Sequence, residues 1–206
     1  MLGIRVPKRN LAKKPVRLHS LASRFAIRPG DEVTTPQTVE TNVPSDATLR
    51  AQAEAVAECL IARGMTVVTA ESCTGGWVAK TLTDIAGSSS WFECGVVAYS
   101  YEAKESLLGV QPQTLERTGA VSQETVVEMV SGALARYGAS VAVAVTGIAG
   151  PSGGTPGKPV GTVWIGWKRR GGYAQSELFH FAGDREAVRR QTVAAALRGV
   201  QKILTS

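Results

Sequence analysis

The sequence predicts an α/β protein, a three-layer α/β/α sandwich built on a mixed sheet. Early strand-like runs alternate with helical stretches, which is typical of parallel strands joined by crossover helices. The run 140–145 is almost continuously apolar, as expected of a strand in a sheet that is covered on both faces. Two later strand-like runs flank the short segment 168–172, and this spacing predicts an antiparallel hairpin.

The first half of the domain is predicted to alternate helices and strands. Ser45 suits the N-cap of a helix over about 46–63, whose apolar residues recur at helical spacing, and Gly64 can end that helix. The elements that follow are, in order, a strand over 66–69, a helix from 77 to about 85 and a strand over 94–99.

The second half is predicted to add the hairpin and three helices. Ser122 suits the N-cap of a helix whose apolar stripe includes Val126 and Met129. The predicted elements are, in order, a short helix over 102–108, the helix after Ser122, a strand over 140–145, strands over 160–167 and 173–181, and an amphipathic helix over about 184–204.

Charge divides the 206-residue chain into two parts. The net charge is +6, but residues 1–30 contain eight basic residues and no acidic one, so the remainder carries −2. The basic balance therefore gives no support to a nucleic-acid partner for the folded part. We expect residues 1–45 to be a disordered basic extension and linker, favoured over an organellar transit peptide, and residues 46–206 to form one domain.

Cysteine content and hydropathy predict the compartment. Three cysteines, Cys59, Cys73 and Cys94, cannot all pair within one chain, which favours reduced thiols. No apolar run approaches the roughly 18 residues that a membrane span needs. The N-terminus also lacks the apolar core of a secretory signal. We therefore expect a cytoplasmic protein with no membrane partner.

Three polar segments, 69–76, 99–104 and 146–154, each follow a predicted strand and suggest a composite active site. Ser72 is a candidate nucleophile, with a helix N-cap as the competing interpretation. A histidine base is poorly supported. His19 lies in the extension, and His180 lies on a predicted strand whose residue pattern could place it on either face of the sheet. Lys104 is the best alternative base if burial lowers its pKa, and Tyr99 could assist it.

Other candidates are weaker. Cys73 could use a helix N-terminus to form a thiolate, but it has no evident histidine partner. No cluster of residues has metal-ligand spacing, so no metal site is expected. The glycine-rich segment 146–154 could admit an anion, although it lacks the ending typical of ATP-binding loops. Arg185 and Arg189 could clamp a phosphate, or belong to a solvated charged face.

Five motifs together are highly specific. They are 70-AESCTGG-76, 99-YSYEAK-104, 147-GIAGP-151, 158-KPVGTV-163 and 183-GDR-185. In this combination and order the chain resembles the CinA C-terminal domain family over about residues 47–204. The resemblance implies a three-layer sandwich with a mostly parallel, five-stranded mixed sheet and a homodimer. It also implies hydrolysis of nicotinamide mononucleotide to nicotinate mononucleotide and ammonia, without metal or organic cofactor.

The resemblance and the residue chemistry together assign Ser72 as nucleophile and Lys104 as general base, with Tyr99 assisting. Backbone N–H groups around Thr74 and Gly75 would stabilise the oxyanion. The predicted substrate-binding residues are Thr74, Gly75, Gly76, Thr146, Gly147, Ala149, Gly150, Gly153, Arg185 and Arg189.

One position departs from the family pattern, because Tyr101 stands where asparagine is expected. Weak or altered activity could follow from this change. Two alternatives stay open: a non-catalytic nucleotide-binding or regulatory domain, and amide hydrolysis on another pyridine or nucleotide substrate.

Overall fold

The computed structural model describes residues 37–38 and 43–205. The strands are β1 (Gln37–Thr38), β2 (Val67–Glu71), β3 (Phe92–Val97), β4 (Val141–Gly147), β5 (Thr162–Arg169) and β6 (Ala174–His180). The helices are α1 (Asp46–Ala62), α2 (Trp77–Thr83), α3 (Tyr101–Ala103), α4 (Pro112–Thr118), α5 (Gln123–Tyr137) and α6 (Arg185–Thr205). A π-helical turn, Lys104–Leu108, continues α3, and a short 3₁₀ turn, Ser88–Ser90, precedes β3.

The strands form one mixed sheet in the order β1-β6-β5-β4-β2-β3. Strands β2, β3 and β4 pair in parallel, whereas β5 is antiparallel to both β4 and β6, so the predicted hairpin is confirmed. Strands β2 to β6 form the predicted five-stranded mixed sheet, and the two-residue β1 adds a sixth strand parallel to β6 at its edge. "Mostly parallel" overstates the pattern, since the pairings divide into three parallel and two antiparallel.

Helices cover both faces of the sheet, which confirms the three-layer architecture. On one face α1, α2 and α6 pack on the odd-numbered valines of β4, such as Val143. On the other face α4, α5 and the π-helical turn pack on the even-numbered alanines Ala142 and Ala144. Because successive side chains of a strand point to opposite faces, a strand buried on both sides is apolar throughout.

The helix caps follow the sequence chemistry. Ser45 accepts a hydrogen bond from the Thr48 N–H at 3.1 Å and begins α1, and Ser122 accepts one from the Thr125 N–H at 3.2 Å and begins α5. Each bond pairs a backbone donor that the helix itself cannot pair. Both predicted N-caps are therefore confirmed.

Two features differ from the sequence-based expectation. Strand β2 extends to Glu71, because it pairs with β3 on one side and β4 on the other as far as that residue. Helix α4 was not predicted, since only Thr114 and Leu115 of its seven residues are buried and it shows no apolar periodicity.

Within 37–38 and 43–205, no helix has the length and apolar character that a bilayer span requires.

Close packing sets the position of the π-helical turn. A Cβ atom added at Gly132 in α5 would lie 1.6 Å from the Leu108 carbonyl oxygen. Because no side chain fits there, α5 rests directly on the turn that carries Lys104. The expected extension over residues 1–45 lies outside the described residues, except for β1 and positions 43–45.

Candidate active site

The carboxyl ends of the parallel strands β2, β3 and β4 bring the three polar segments to one edge of the sheet. Ser72 directly follows β2, Tyr99 lies two residues after β3, and Gly147 ends β4. The Ser72 N–H donates to the Val145 carbonyl at 3.1 Å, so the candidate nucleophile is fixed against β4. Ligand sites of open α/β sheets are commonly found at such an edge.

Ser72 and Lys104 form a direct contact across 32 positions of sequence. The Lys104 Nζ donates to the Ser72 Oγ at 3.1 Å. The same amine donates to the Ala98 carbonyl at 2.9 Å and to the Tyr99 carbonyl at 3.1 Å. Ser72 is 8% exposed and Lys104 is fully buried. The amine is thus held by three oxygens, one of which is the candidate nucleophile.

Burial shifts the proton affinity of Lys104. Removal from water penalises the charged ammonium and lowers the pKa of Lys104 below its usual 10.5, while the nearby Cys73 opposes the shift to a smaller degree. None of the three oxygens around the amine belongs to a carboxylate. Burial therefore makes the neutral amine more accessible than in an exposed lysine. In that form two N–H groups can stay on the Ala98 and Tyr99 carbonyls while the lone pair accepts the Ser72 proton.

Cys73 has the opposite electrostatic environment to that of a reactive thiol. The side chain is buried, and burial raises the pKa of Cys73 to about 12, with a smaller contribution from the charge of Glu71. A nucleophilic cysteine needs a lowered thiol pKa, so the geometry disfavours Cys73. All three cysteines are unpaired, as their number suggests.

Tyr99, predicted to assist Lys104, contacts the lysine through its backbone and not through its side chain. The side chain is 61% exposed, and its hydroxyl accepts a hydrogen bond from the Arg185 Nη2 at 3.4 Å. The Tyr99 carbonyl is the group that holds the Lys104 amine. The phenol thus lies on the rim of the site.

Glu71 organises the loop that follows β2. Its Oε2 accepts from the Thr74 hydroxyl at 2.6 Å and from the N–H groups of Gly76 and Val78, both at 3.0 Å. Its Oε1 accepts from the Ala79 N–H at 2.8 Å and the Thr69 hydroxyl at 3.2 Å. The carboxylate therefore occupies the N-terminus of α2, the position for which Ser72 was the N-cap candidate.

Two of the predicted binding residues after Ser72 already use their backbone donors. The Gly75 N–H donates to the Ser72 carbonyl at 3.0 Å, and the Gly76 N–H donates to Glu71. Gly75 and Gly76 have φ values of 61° and 94°, which glycine adopts without the strain that a side chain would bring. The pairing removes Gly75 from the predicted oxyanion donors.

The segment 146–154 is partly structural. The Thr146 hydroxyl donates to the Ala120 carbonyl at 2.7 Å, and Ala149 is buried in the core. A Cβ atom at Gly147 would lie 2.8 Å from the Thr162 carbonyl oxygen, so glycine is needed for contact with β5. Gly150 faces Val160, and Gly153 is exposed. Of the predicted binding residues in this segment, Gly153 is the exposed one, and the Gly150 carbonyl is the group that accepts from Arg185.

The two predicted phosphate-binding arginines occupy different surroundings. The Arg185 Nη1 donates to the Gly150 carbonyl at 2.8 Å, and its guanidinium joins this loop to Tyr99. The Arg189 Nη2 donates to the Thr74 carbonyl at 2.7 Å, and its guanidinium lies 5.1 Å from the Trp77 ring centroid. Arg185 is therefore the arginine beside the Tyr99 rim of the site.

A groove of about 500 Å³ lies beside the α2 N-terminus, and its lining contains neither Ser72 nor Lys104. Its three cations already have partners: Lys80 pairs with Asp84, Arg190 pairs with Asp46 and Glu186, and Arg189 donates to the Thr74 carbonyl. The groups that can react, a hydroxyl paired with a base, lie at the Ser72–Lys104 contact and not in this groove.

Comparison with known proteins gives the family. The model of the CinA C-terminal domain matches residues 49–204. The chain belongs to the CinA C-terminal domain family. A relative named nicotinamide-nucleotide amidohydrolase PncC from Escherichia coli K12 is 54% identical over 154 residues, covering 75% of this chain and 93% of the relative.

Two further matches agree with that membership. A protein of the same name from Pseudomonas putida is 56% identical over 139 residues, covering 68% of this chain and 86% of the relative. The crystal structure of the competence/damage inducible protein CihA from Agrobacterium tumefaciens is 41% identical with a TM-score of 0.75, covering 81% of this chain and all of that one. The resemblance inferred from the five motifs is thus confirmed.

Within this CinA C-terminal domain, Glu71 is the site residue that sequence reasoning missed. An available signal was a carboxylate placed five and seven residues before the N–H groups of Gly76 and Val78, at the start of a predicted helix.

Tyr101 is half exposed, and its hydroxyl lies 3.8 Å from the point where a Gly119 Cβ would stand. In the described part of the chain no group of three or more His, Cys, Asp or Glu residues could hold a metal ion.

Proposed function

We propose that this chain hydrolyses the carboxamide of nicotinamide mononucleotide, releasing nicotinate mononucleotide and ammonia, with Ser72 as nucleophile and Lys104 as base. The observation that carries the mechanism is the 3.1 Å contact between a buried lysine amine and the serine hydroxyl. The substrate is supported by two relatives, 54% and 56% identical, that are named nicotinamide-nucleotide amidohydrolase.

The reaction requires Lys104 to accept one proton and then to give it up again. The neutral Lys104 amine takes the Ser72 proton as the Oγ attacks the carboxamide carbon. When the tetrahedral intermediate collapses and the C–N bond breaks, the Lys104 ammonium gives that proton to the departing nitrogen, which leaves as ammonia. Water then attacks the acyl-serine with Lys104 again as base, which restores Ser72 and frees the carboxylate.

The oxyanion is expected to be stabilised by backbone donors of the loop after Ser72. Of the predicted pair, the Gly75 N–H already donates to the Ser72 carbonyl, which leaves the Thr74 N–H as the donor we propose. The Thr74 hydroxyl and carbonyl are engaged by Glu71 and Arg189, so this residue has a fixed orientation. Fixed donors stabilise developing charge without reorganising during the reaction.

We assign the ribose phosphate to Arg185. Its guanidinium is exposed beside Gly150 and Tyr99, whereas that of Arg189 is committed to Thr74 and Trp77. Arg185→Gln should raise KM about 10- to 100-fold with little change in kcat, because a charged hydrogen bond is worth roughly 1.5–3 kcal/mol in both ground and transition states. Steady-state kinetics with the nucleotide will measure this.

Arg198→Gln provides the matched control, since Arg198 is exposed on the same helix. It should leave KM unchanged. A larger rise in KM from Arg189→Gln than from Arg185→Gln would move the phosphate site to the other arginine.

Ammonia release tests the activity directly. Purified protein incubated with nicotinamide mononucleotide should produce ammonia and nicotinate mononucleotide in equal amounts. Binding of the nucleotide without ammonia release would contradict the proposal and favour the non-catalytic nucleotide-binding domain. The homodimer and the cytoplasmic location stay predictions from the resemblance and the sequence.

A further inference from the structure

Glu71 is a buried carboxylate that the proposed reaction does not use. It is 1% exposed and immediately precedes Ser72. Its backbone belongs to the sheet, where the Ala98 N–H donates to the Glu71 carbonyl at 2.8 Å. Its side chain turns to the loop and helix that follow. One residue therefore joins the end of the sheet to the segment that carries the nucleophile.

The five hydrogen bonds to this carboxylate all come from neutral donors, two hydroxyls and three backbone N–H groups. The three N–H groups belong to Gly76, Val78 and Ala79, at the start of α2. These are groups that a helix leaves unpaired, and the positive end of the helix favours a negative charge there. Both oxygens of the Glu71 carboxyl group thus act as acceptors, with no cationic partner among these five.

We propose that Glu71 is a positioning residue, which fixes the loop 72–76 so that the Ser72 Oγ stays at the Lys104 amine. This inference rests on the proposed hydrolysis at Ser72. The loop is anchored to the rest of the molecule at four points: the Ser72 N–H on Val145, the Thr74 hydroxyl and the Gly76 N–H on Glu71, and the Thr74 carbonyl on Arg189. Two of the four depend on the carboxylate, so its removal loosens the loop while leaving Ser72 and Lys104 chemically intact.

The chemistry of this position requires two acceptor oxygens. In Glu71→Gln, one oxygen becomes an NH₂ group that donates and cannot accept. On the Oε1 side it would face the Ala79 N–H, and on the Oε2 side it would face the N–H groups of Gly76 and Val78. Either orientation leaves at least one backbone N–H against another donor, so the start of α2 must shift.

Glu71→Gln should lower kcat about 10- to 100-fold while KM changes less than about 2-fold, because displacement of a reacting group by an ångström can cost that much in rate. Amide hydrogen exchange at Gly76, Val78 and Ala79 should become faster in the same variant. A residue that only supported folding would lower the fraction of active protein and would leave the kcat of the folded fraction unchanged. Thr74→Val removes the hydrogen bond from the Thr74 hydroxyl to Glu71 and should lower kcat about 10-fold. This variant tests the same role if Glu71→Gln does not fold.

Glu128→Gln is the matched control. Glu128 also accepts a backbone N–H and a threonine hydroxyl, from Gln111 and Thr114, at the start of α4. It should keep wild-type kcat and KM. Wild-type kcat in both Glu71→Gln and Thr74→Val, or loss of kcat without faster exchange at α2, would overturn the positioning role alone. Absence of ammonia release from the wild-type protein would instead overturn the proposed function and this inference with it.

Discussion

Ser72→Ala is expected to lower kcat for ammonia release by about 10⁴-fold or more, the loss typical of removing a covalent nucleophile. The substitution removes one oxygen from a side chain that is already largely buried, so the fold should tolerate it. The Lys104 amine would keep its bonds to the Ala98 and Tyr99 carbonyls. Ammonia assays on the wild type and the variant, with matched thermal midpoints, will measure the effect.

Cys73→Ala supplies the control, because the thiol is adjacent to Ser72 in sequence and is similar in size. With the pKa of Cys73 at about 12, the thiolate is scarcely populated at neutral pH, so kcat should change less than about 3-fold. Mass spectrometry after rapid quenching should find the acyl group on Ser72. A Cys73→Ala loss as large as that of Ser72→Ala would contradict the serine mechanism.

The proximity of Ser72 and Lys104 could be predicted from the sequence, because parallel strands bring their carboxyl ends to one sheet edge. Ser72 follows β2 and Lys104 follows β3, and these two strands pair in parallel. Composition could not distinguish a surface lysine from a buried one. The distinction comes from α5, whose contact at Gly132 presses the π-helical turn onto the sheet.

The sequence could not predict which atoms of the site residues form the hydrogen bonds. Tyr99 was predicted to assist Lys104, and the group that holds the amine is its carbonyl, which every residue type has. Gly75 was selected as an oxyanion donor, but the turn after Ser72 uses its N–H. Such outcomes depend on local backbone geometry, which residue identity constrains weakly outside glycine and proline.

The environment of Lys104 links stability to function. Because its folded-state pKa lies below that of an exposed lysine, the unfolded chain binds more protons at pH values between the two. Stability is therefore expected to rise with pH across that window, and the buried amine costs stability below it. The reaction rate is also expected to rise with pH, since the neutral amine that burial favours is the form that accepts the Ser72 proton.

Lys104→Met should therefore lower kcat/KM by about 10²- to 10⁴-fold, the range expected for loss of a general base. In the wild type, kcat/KM should rise with pH through an apparent pKa below 10.5, as Lys104 loses its proton. The variant should lose that rise. Lys104→Arg should lower kcat/KM as much and lose the same rise with pH, because a guanidinium stays protonated throughout this range. Rate profiles from pH 6 to pH 10 will test all three proteins.

Lys80→Met distinguishes loss of the base from loss of positive charge. Lys80 is exposed on α2 and pairs with Asp84, so its removal should leave both the rate and the pH profile unchanged. A Lys104→Met protein that kept the wild-type rise with pH would assign the titrating base to another group. A Lys104→Arg protein with near wild-type activity would show that charge near Ser72 suffices and that proton transfer to residue 104 is not required.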